Sequence, residues 1–271
     1  LAGVRARYVQ PFEDAFLGLG VRILDAKITG LTAVDGGIRV DLQRTDTGEP
    51  MCVEADEVIA ATGFTCPLQD LPELGVATFG ASRLPVVSPY WESTTVPGVY
   101  FAGTISQAAP GLRKHGVPAN SGAVHGHRYN SLVLARHIAE RWFGLVEERP
   151  IVAPNDLVGY LLREATSAPE LWHQKAYLAR VVTAAPDGTL RDAGILPLAH
   201  VLDGMTEDAV AMTIESDGQG GLYPVAYVRR DGALSEHPLP PEPLLDFTTE
   251  VHRAALADAV ARLIAVAPDR R

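Results

Sequence analysis

The sequence predicts an α/β fold followed by a smaller α+β unit. Two continuous apolar runs, Val58-Ile59-Ala60-Ala61 and Val99-Tyr100-Phe101-Ala102, each stop at or near a glycine, Gly63 and Gly103. Such runs fit strands buried on both faces, as in a parallel sheet. A long helical pattern over residues 122–143 follows the second run. Residues 147–155, with Pro150 and Pro154, then read as a linker, beyond which short strands and amphipathic helices take over. The expected domains are 1–147 and 151–271.

Composition narrows the function classes. At 271 residues the chain exceeds the ~100–200 residues usual for one domain and can bury a core without staples. With 23 Lys and Arg against 33 Asp and Glu, the net charge is −10, which opposes nucleic-acid binding. No apolar run approaches the ~18 residues that span a bilayer, so no membrane partner is expected. Cys52 and Cys66 are too far apart for a Cys-x-x-Cys pair or a zinc cluster. A reducing, cytoplasmic compartment is the default. The chain opens at Leu1 in ordinary globular sequence, with no charged-then-apolar leader, and is expected to be truncated.

The elements follow in order. Phe12, Ala15, Phe16 and Leu17 suggest a short helix ending at Gly18 or Gly20. Strands are expected at 21–24 and 27–34, with Asp35-Gly36-Gly37 as turn residues. Ile38, Val40 and Leu42 alternate with polar partners, the pattern of a half-buried strand, and Thr47-Gly48 turns the chain towards a strand at 51–54. Prolines 67, 72, 85, 89 and 97 break up residues 65–98. In the long helix Tyr129, Leu132, Val133, Ala135, Ile138 and Trp142 form an apolar stripe, and Gly144 is the stop.

In the second domain Asn155 is placed to cap a helix reaching about Thr166. Residues 171–182 are mixed, and strands are expected at 209–214 and 223–229. Gly218-Gln219-Gly220-Gly221 reads as a hairpin turn, since no helix follows it to hold a phosphate. Prolines 238, 240, 241 and 243 make a stiff connector. A last helix over 248–266 turns Val251, Ala255, Leu256, Ala259, Val260 and Leu263 inward.

The surroundings of the two glycines suit a ligand. Glycine at a strand end lets backbone approach a bound group with no Cβ in the way. Open parallel sheets bind ligands beyond the carboxyl ends of their strands. A helix starting near Gly122 aims unpaired N–H groups and its positive end at that crevice. On the residues alone the bland alternative stays open, in which the glycines end strands and begin a helix and do nothing more. His125, near the helix start, is a candidate acid/base or a packed polar residue. Arg113 and Lys114 are candidates for an anionic group or are solvated surface.

Taken together, Val58-Ile59-Ala60-Ala61-Thr62-Gly63, the later Pro97-Gly98-Val99-Tyr100-Phe101-Ala102-Gly103 and the helix after them resemble flavoproteins with paired FAD and NAD(P) domains. Flavin-containing monooxygenases and pyridine-nucleotide disulfide reductases belong to that group. The resemblance covers roughly residues 1–145 and implies the C-terminal part of a Rossmann-like FAD/NAD(P)-binding fold. Residues 21–54 are similar to the end of its NAD(P) domain. No Gly-x-Gly-x-x-Gly follows a strand in this chain. In those families both such fingerprints come earlier, so they are expected upstream of Leu1 and the 271 residues alone are expected to be inactive.

The resemblance further implies FAD and NAD(P)H as cofactors. It places Thr62, Gly63, Gly103, Thr104, Val124, His125 and Gly126 at the flavin, and Arg113 and Lys114 at an anionic substrate or the nicotinamide phosphates. Hydride would pass from NAD(P)H to the flavin, and electrons onward to oxygen and an organic substrate, or to a disulfide. Disulfide-reductase branches usually carry Asp after the second glycine. Thr104 stands there, an uncharged hydroxyl, and no thiol neighbours Cys66. Both departures lean towards a monooxygenase-like enzyme. A disulfide-reductase-like enzyme, or a non-catalytic interaction module on a flavoprotein scaffold, is the alternative. The expected partner is a small-molecule substrate, self-association is left open, and no metal-ligand spacing stands out.

Overall fold

Alternating apolar and polar residues build the first sheet. The computed structural model describes residues 25–60, 66–80, 82–109, 111–112 and 119–264, and the chain divides into two units, Leu1–Gly63 and Phe64–Arg271. In the first unit β1 (Ala26–Val34), β2 (Gly37–Arg44) and β3 (Pro50–Ala55) form an antiparallel meander in that order. Leu31 lies opposite Val40, which lies opposite Val53; Ile28, Leu42 and Met51 line up in the same way. Val40 and Leu42 are buried, whereas Ile28 and Leu31 keep 53% and 56% of their surface. The expected strand at 21–24 and the helix near Phe12 lie outside the described residues.

After β3 the first apolar run departs from expectation. Residues 57–60 carry no regular structure, and Ile59 is 86% exposed. Its apolar character therefore reports no two-sided burial; Ala61, Thr62 and Gly63 lie outside the described residues.

In the second unit, residues 66–98 hold two 3-10 turns, Pro67–Asp70 and Pro72–Leu74, and a two-stranded ribbon of β4 (Thr78–Phe79) and β5 (Leu84–Pro85). The second apolar run is also corrected. Tyr100 makes one isolated antiparallel bridge to Glu92, and the Phe101 amide donates to the Trp91 carbonyl. Phe101 is buried and Ala102 exposed, so 99–102 is a crossing segment and not a sheet strand. Helix α1 (Val124–Phe143) then runs to a left-handed cap at Gly144. Its buried side is Tyr129, Asn130, Val133 and Leu134; Leu132 and Trp142, expected inside, are more than half exposed.

The expected linker is structural. Ile151 and Val152 form edge strand β6 (Ile151–Val152), and Val152 is buried. A six-stranded antiparallel sheet is built from β6, β7 (Leu178–Ala184), β8 (Leu190–Pro197), β9 (Asp208–Ser216), β10 (Leu222–Arg230) and β11 (Ala233–Pro238), in spatial order β11-β10-β9-β7-β8-β6. Of these, β9 and β10 match the expected strands; β7, β8 and β11 add to them. Every strand pair among the described residues is antiparallel.

Both faces of the large sheet are covered, which is why β9 carries the unbroken apolar run Ala209-Val210-Ala211-Met212 and buries every residue from Ala209 to Glu215. Val210, Met212 and Ile214 point into one core, while Ala209 and Ala211 point into the other. The first core is closed by α2 (Leu157–Ser167), α3 (Pro169–His173) and α5 (Glu250–Ile264), the second by α4 (Leu198–Asp203). Helix α2 starts at Leu157 with Asp156 at its cap, no side-chain cap bond being made, so Asn155 is not the cap. In α5, Leu256, Val260 and Leu263 are buried, and Val251 is 63% exposed instead of inward.

Val87, Trp91, Phe101, Tyr129, Val133 and Leu134 belong to the same core as Leu161, Met212 and Phe247. Residues on either side of the expected boundary at 147–151 thus share one interior, and the division of the chain falls at Gly63 instead. No described helix is long and apolar enough to cross a membrane.

Candidate functional site

A buried polar network fastens the start of α1. Ala123 stands at its N-cap and has no side chain to cap with. Among the described residues the amides of Val124 and His125 meet no acceptor, while those of Gly126 and His127 donate to the Ala123 carbonyl. One turn further in, the Asn130 amide donates to Ser106 Oγ at 2.9 Å and to Ser121 Oγ at 3.1 Å. Gln174 Nε2 donates to Asn130 Oδ1 at 2.6 Å and to the Gly126 carbonyl at 3.0 Å, and Ser121 Oγ donates to Gln174 Oε1. Ser106, Ser121, Asn130 and Gln174 are all buried, so each bond replaces water that cannot reach them.

That network ties the 3-10 turn Gly103–Ala108 and the turn Asn120–Gly122 to α1 and to α3. The Ser106 carbonyl accepts from Trp91 Nε1 at 2.9 Å and from the Tyr177 hydroxyl at 2.9 Å. Trp91 is wholly buried with φ +60°, a backbone state its bulk disfavours. Gly103 has φ +78°, and a Cβ there would meet open space. The requirement at Gly103 is therefore conformational, and the space in front of it is free. Gly126 differs: a Cβ there would lie 2.0 Å from the Asn120 carbonyl oxygen. It is needed for packing against that turn, not for approach to a ligand.

Of the residues singled out in the sequence, Gly103 and Thr104 open the turn whose Ser106 bonds Asn130, and Val124, His125 and Gly126 open α1. Thr104, Val124 and His125 are exposed and Gly126 is buried. Thr62, Gly63, Arg113 and Lys114 lie outside the described residues. Cys66 is buried at 3% exposure, its amide bonded to the Ser82 carbonyl.

The structure brings residues to this place that the sequence did not single out. The His173 ring lies 5.2 Å from that of His125 and stacks at 5.9 Å and 15° on Tyr129. Arg128 sits over the Tyr129 ring at 4.6 Å. Lys175 Nζ donates to the Trp172 carbonyl at 2.7 Å. Burial first, then the charges of His125, Arg128 and Lys175, push the His173 pKa down. Burial lowers that of Lys175. The available signal was the polar triplet His173-Gln174-Lys175 interrupting an apolar stretch.

A second feature of this unit is a polar cavity of about 260 Å³ beside the C-terminal half of α1, lined among others by Tyr90, His137, Arg149, Arg180 and Asp192. Tyr90 stacks on His137 at 4.0 Å and 9°, and the His200 ring lies 5.0 Å from it. Burial, then the charge of Glu140, raises the Tyr90 hydroxyl. Burial lowers His137, with Arg141 adding to it, and burial lowers His200. Arg180 pairs with Glu164 at 2.6 Å and Asp192 at 3.3 Å. With its cation compensated by two carboxylates, this cavity holds no surplus charge at Arg180 for a ligand.

A scan of protein-family models and a search of curated proteins find no match to this chain.

The start of α1 combines amide donors that meet no acceptor among the described residues, a helix's positive end, the cations Arg128 and Lys175, and two imidazoles. Chemically it suits an electron-rich or anionic group. Among the described residues no group of His, Cys, Asp and Glu is arranged to hold a metal ion.

Proposed function

We propose that this chain is part of an FAD-dependent, NAD(P)H-using oxidoreductase of the monooxygenase-like kind. The observation that carries the reading is the fastening of the Gly103–Ala108 turn to the uncapped start of α1 through Asn130, Ser106 and Ser121. In the flavoproteins the sequence resembles, this loop and this helix end meet at the isoalloxazine ring. The residues present suit such a ring. A Cβ at Gly103 would meet nothing within 4 Å, and among the described residues the amides of Val124 and His125 meet no acceptor.

Bound there, FAD would supply the redox chemistry between NAD(P)H and a second substrate. The chain's own part is electrostatic and positional. The positive end of α1 favours negative charge on the ring edge, Thr104 offers one uncharged hydroxyl, and exposed His125 is placed to move a proton. The resemblance assigns a Rossmann-like fold to residues 1–147. With all described pairing antiparallel, support for that fold comes from the junction and not from a sheet. Cys66 is buried and has no Cys partner at Cys-x-x-Cys spacing in the sequence, which supports the monooxygenase-like reading over the disulfide-reductase-like one.

The full-length protein is expected to be yellow, with a flavin absorption band that bleaches when NADPH is added under nitrogen. A colourless, nucleotide-free protein overturns the proposal.

A further inference from the structure

The second unit gathers two cations, Arg128 and Lys175, and two imidazoles, His125 and His173, in a chain whose net charge is −10. His125 and His173 lie 5.2 Å apart between ring centroids, and Tyr129 joins His173 to Arg128 through one stacked and one cation–π contact. Lys175 follows His173 by two residues, and its ammonium is held by the Trp172 carbonyl at 2.7 Å. Among the described residues neither Arg128 nor Lys175 makes an ion pair, although the other arginines of α1, Arg136 and Arg141, pair with Glu147 and Glu92. The charges acting on His173 are all positive, with no carboxylate among them.

Arg128 and Lys175 bring positive charge to His173 with no carboxylate paired to either among the described residues, an arrangement that costs free energy until a counter-charge is supplied. An anion seated among them would reverse that cost. His125 and Arg128 are exposed and His173 and Lys175 half-buried, so the cluster is open to solvent and yet partly shielded from it. Arg128 offers a planar fork of donors for two oxygens, Lys175 a point charge, and the imidazoles two further N–H donors. Such a set matches a tetrahedral or planar oxyanion.

We propose that His125, Arg128, His173 and Lys175 bind the phosphate or carboxylate group of a small-molecule ligand. Two of these residues, His173 and Lys175, come from the part of the chain beyond residue 151, so that part completes the site at the start of α1 instead of serving as an appendage. That the anion belongs to a substrate or nucleotide of a flavoenzyme rests on the proposed function; the binding itself does not.

The test is isothermal titration calorimetry of the full-length protein with inorganic phosphate at low ionic strength. Phosphate is expected to bind, and His173→Gln with Lys175→Gln together to weaken it at least about tenfold, the loss of roughly 1.4 kcal/mol or more of charge-assisted contact. Lys175→Arg, which keeps the charge, is expected to retain binding, and His237→Gln on β11 to leave it unchanged. Competition by NADP⁺ but not NAD⁺ would identify the nucleotide phosphate as the source. Binding indifferent to both points to a free anionic substrate. No phosphate binding, or equal binding by wild type and a double variant whose circular dichroism is native, overturns the proposal. The flavin band is read in the same samples, so a yellow protein that ignores phosphate separates failure here from failure of the flavoprotein reading.

Discussion

The meander β1–β3 and the six-stranded sheet β6–β11 are both antiparallel, yet they use apolar residues in opposite ways. In the meander an apolar residue sits at every second position of β2, and its cross-strand neighbours Ile28 and Leu31 stay more than half exposed. In β9 both alternating sets are buried, because α2 and α5 cover one face and α4 the other. A strand buried on both faces thus arises from cover on two sides and does not require parallel pairing. The same point explains the failure at Val58-Ile59-Ala60: an apolar run without cover forms no strand, and Ile59 is left 86% exposed.

The comparison is broken most directly by truncating one side chain in each sheet. Met212→Ala in β9, fully buried, is expected to cost about 3–4 kcal/mol, as core truncations to alanine do, whereas Leu31→Ala in β1 should cost under about 1 kcal/mol. Denaturant unfolding followed by circular dichroism measures both, and equal losses would contradict the assigned cover.

A somewhat smaller effect is expected where the larger unit buries polar groups. Asn130→Leu removes the donor shared by Ser106 and Ser121 and one of the two acceptors of Gln174 Nε2, for a loss of about 2–3 kcal/mol. Adding Gln174→Leu should cost less than the sum of the two single changes, since the survivors are already unpaired. Full additivity would mean that the network is not one unit.

The smallest effect sharpens the contrast through pH. Burial holds the folded pKa values of His137 and His200 below the ordinary 6.5, so the unfolded chain takes up protons first as pH falls. Their contribution is complete above 6.5 and is lost as pH drops through the lowered folded values. The transition of the larger unit should therefore soften on acidification below about pH 6.5, and His137→Gln with His200→Gln should flatten that dependence. The described part of the meander contains no histidine and supplies no such term. A pH profile unchanged by the two substitutions would remove these residues as its cause.

Much of the candidate site was half legible in the sequence. Gly103, the helix at 124–143 and His125 could be found because a glycine stop and a helical period are local signals. His173, Gln174 and Lys175 could not, since they stand some 50 residues from His125 in the chain and only packing of α3 on α1 brings them together. Gly126 was visible as a glycine, but its reason, a carbonyl where a Cβ would sit, is visible only in space.

What the sequence by itself determined are features set by neighbours along the chain: the turn at Asp35-Gly36, the alternation of β2, the run of α1 up to Gly144, and β9 and β10 as strands. These follow from dihedral preferences and from periods of 2 and 3.6 residues, which need no knowledge of the rest of the molecule. The tertiary structure alone decided that 151–264 shares a core with 87–134, that α1 buries Asn130 instead of Leu132, and that His173 and its neighbours meet His125 and Arg128 at the start of α1. Burial and charge clustering depend on which surfaces cover each other, and distant segments set that jointly.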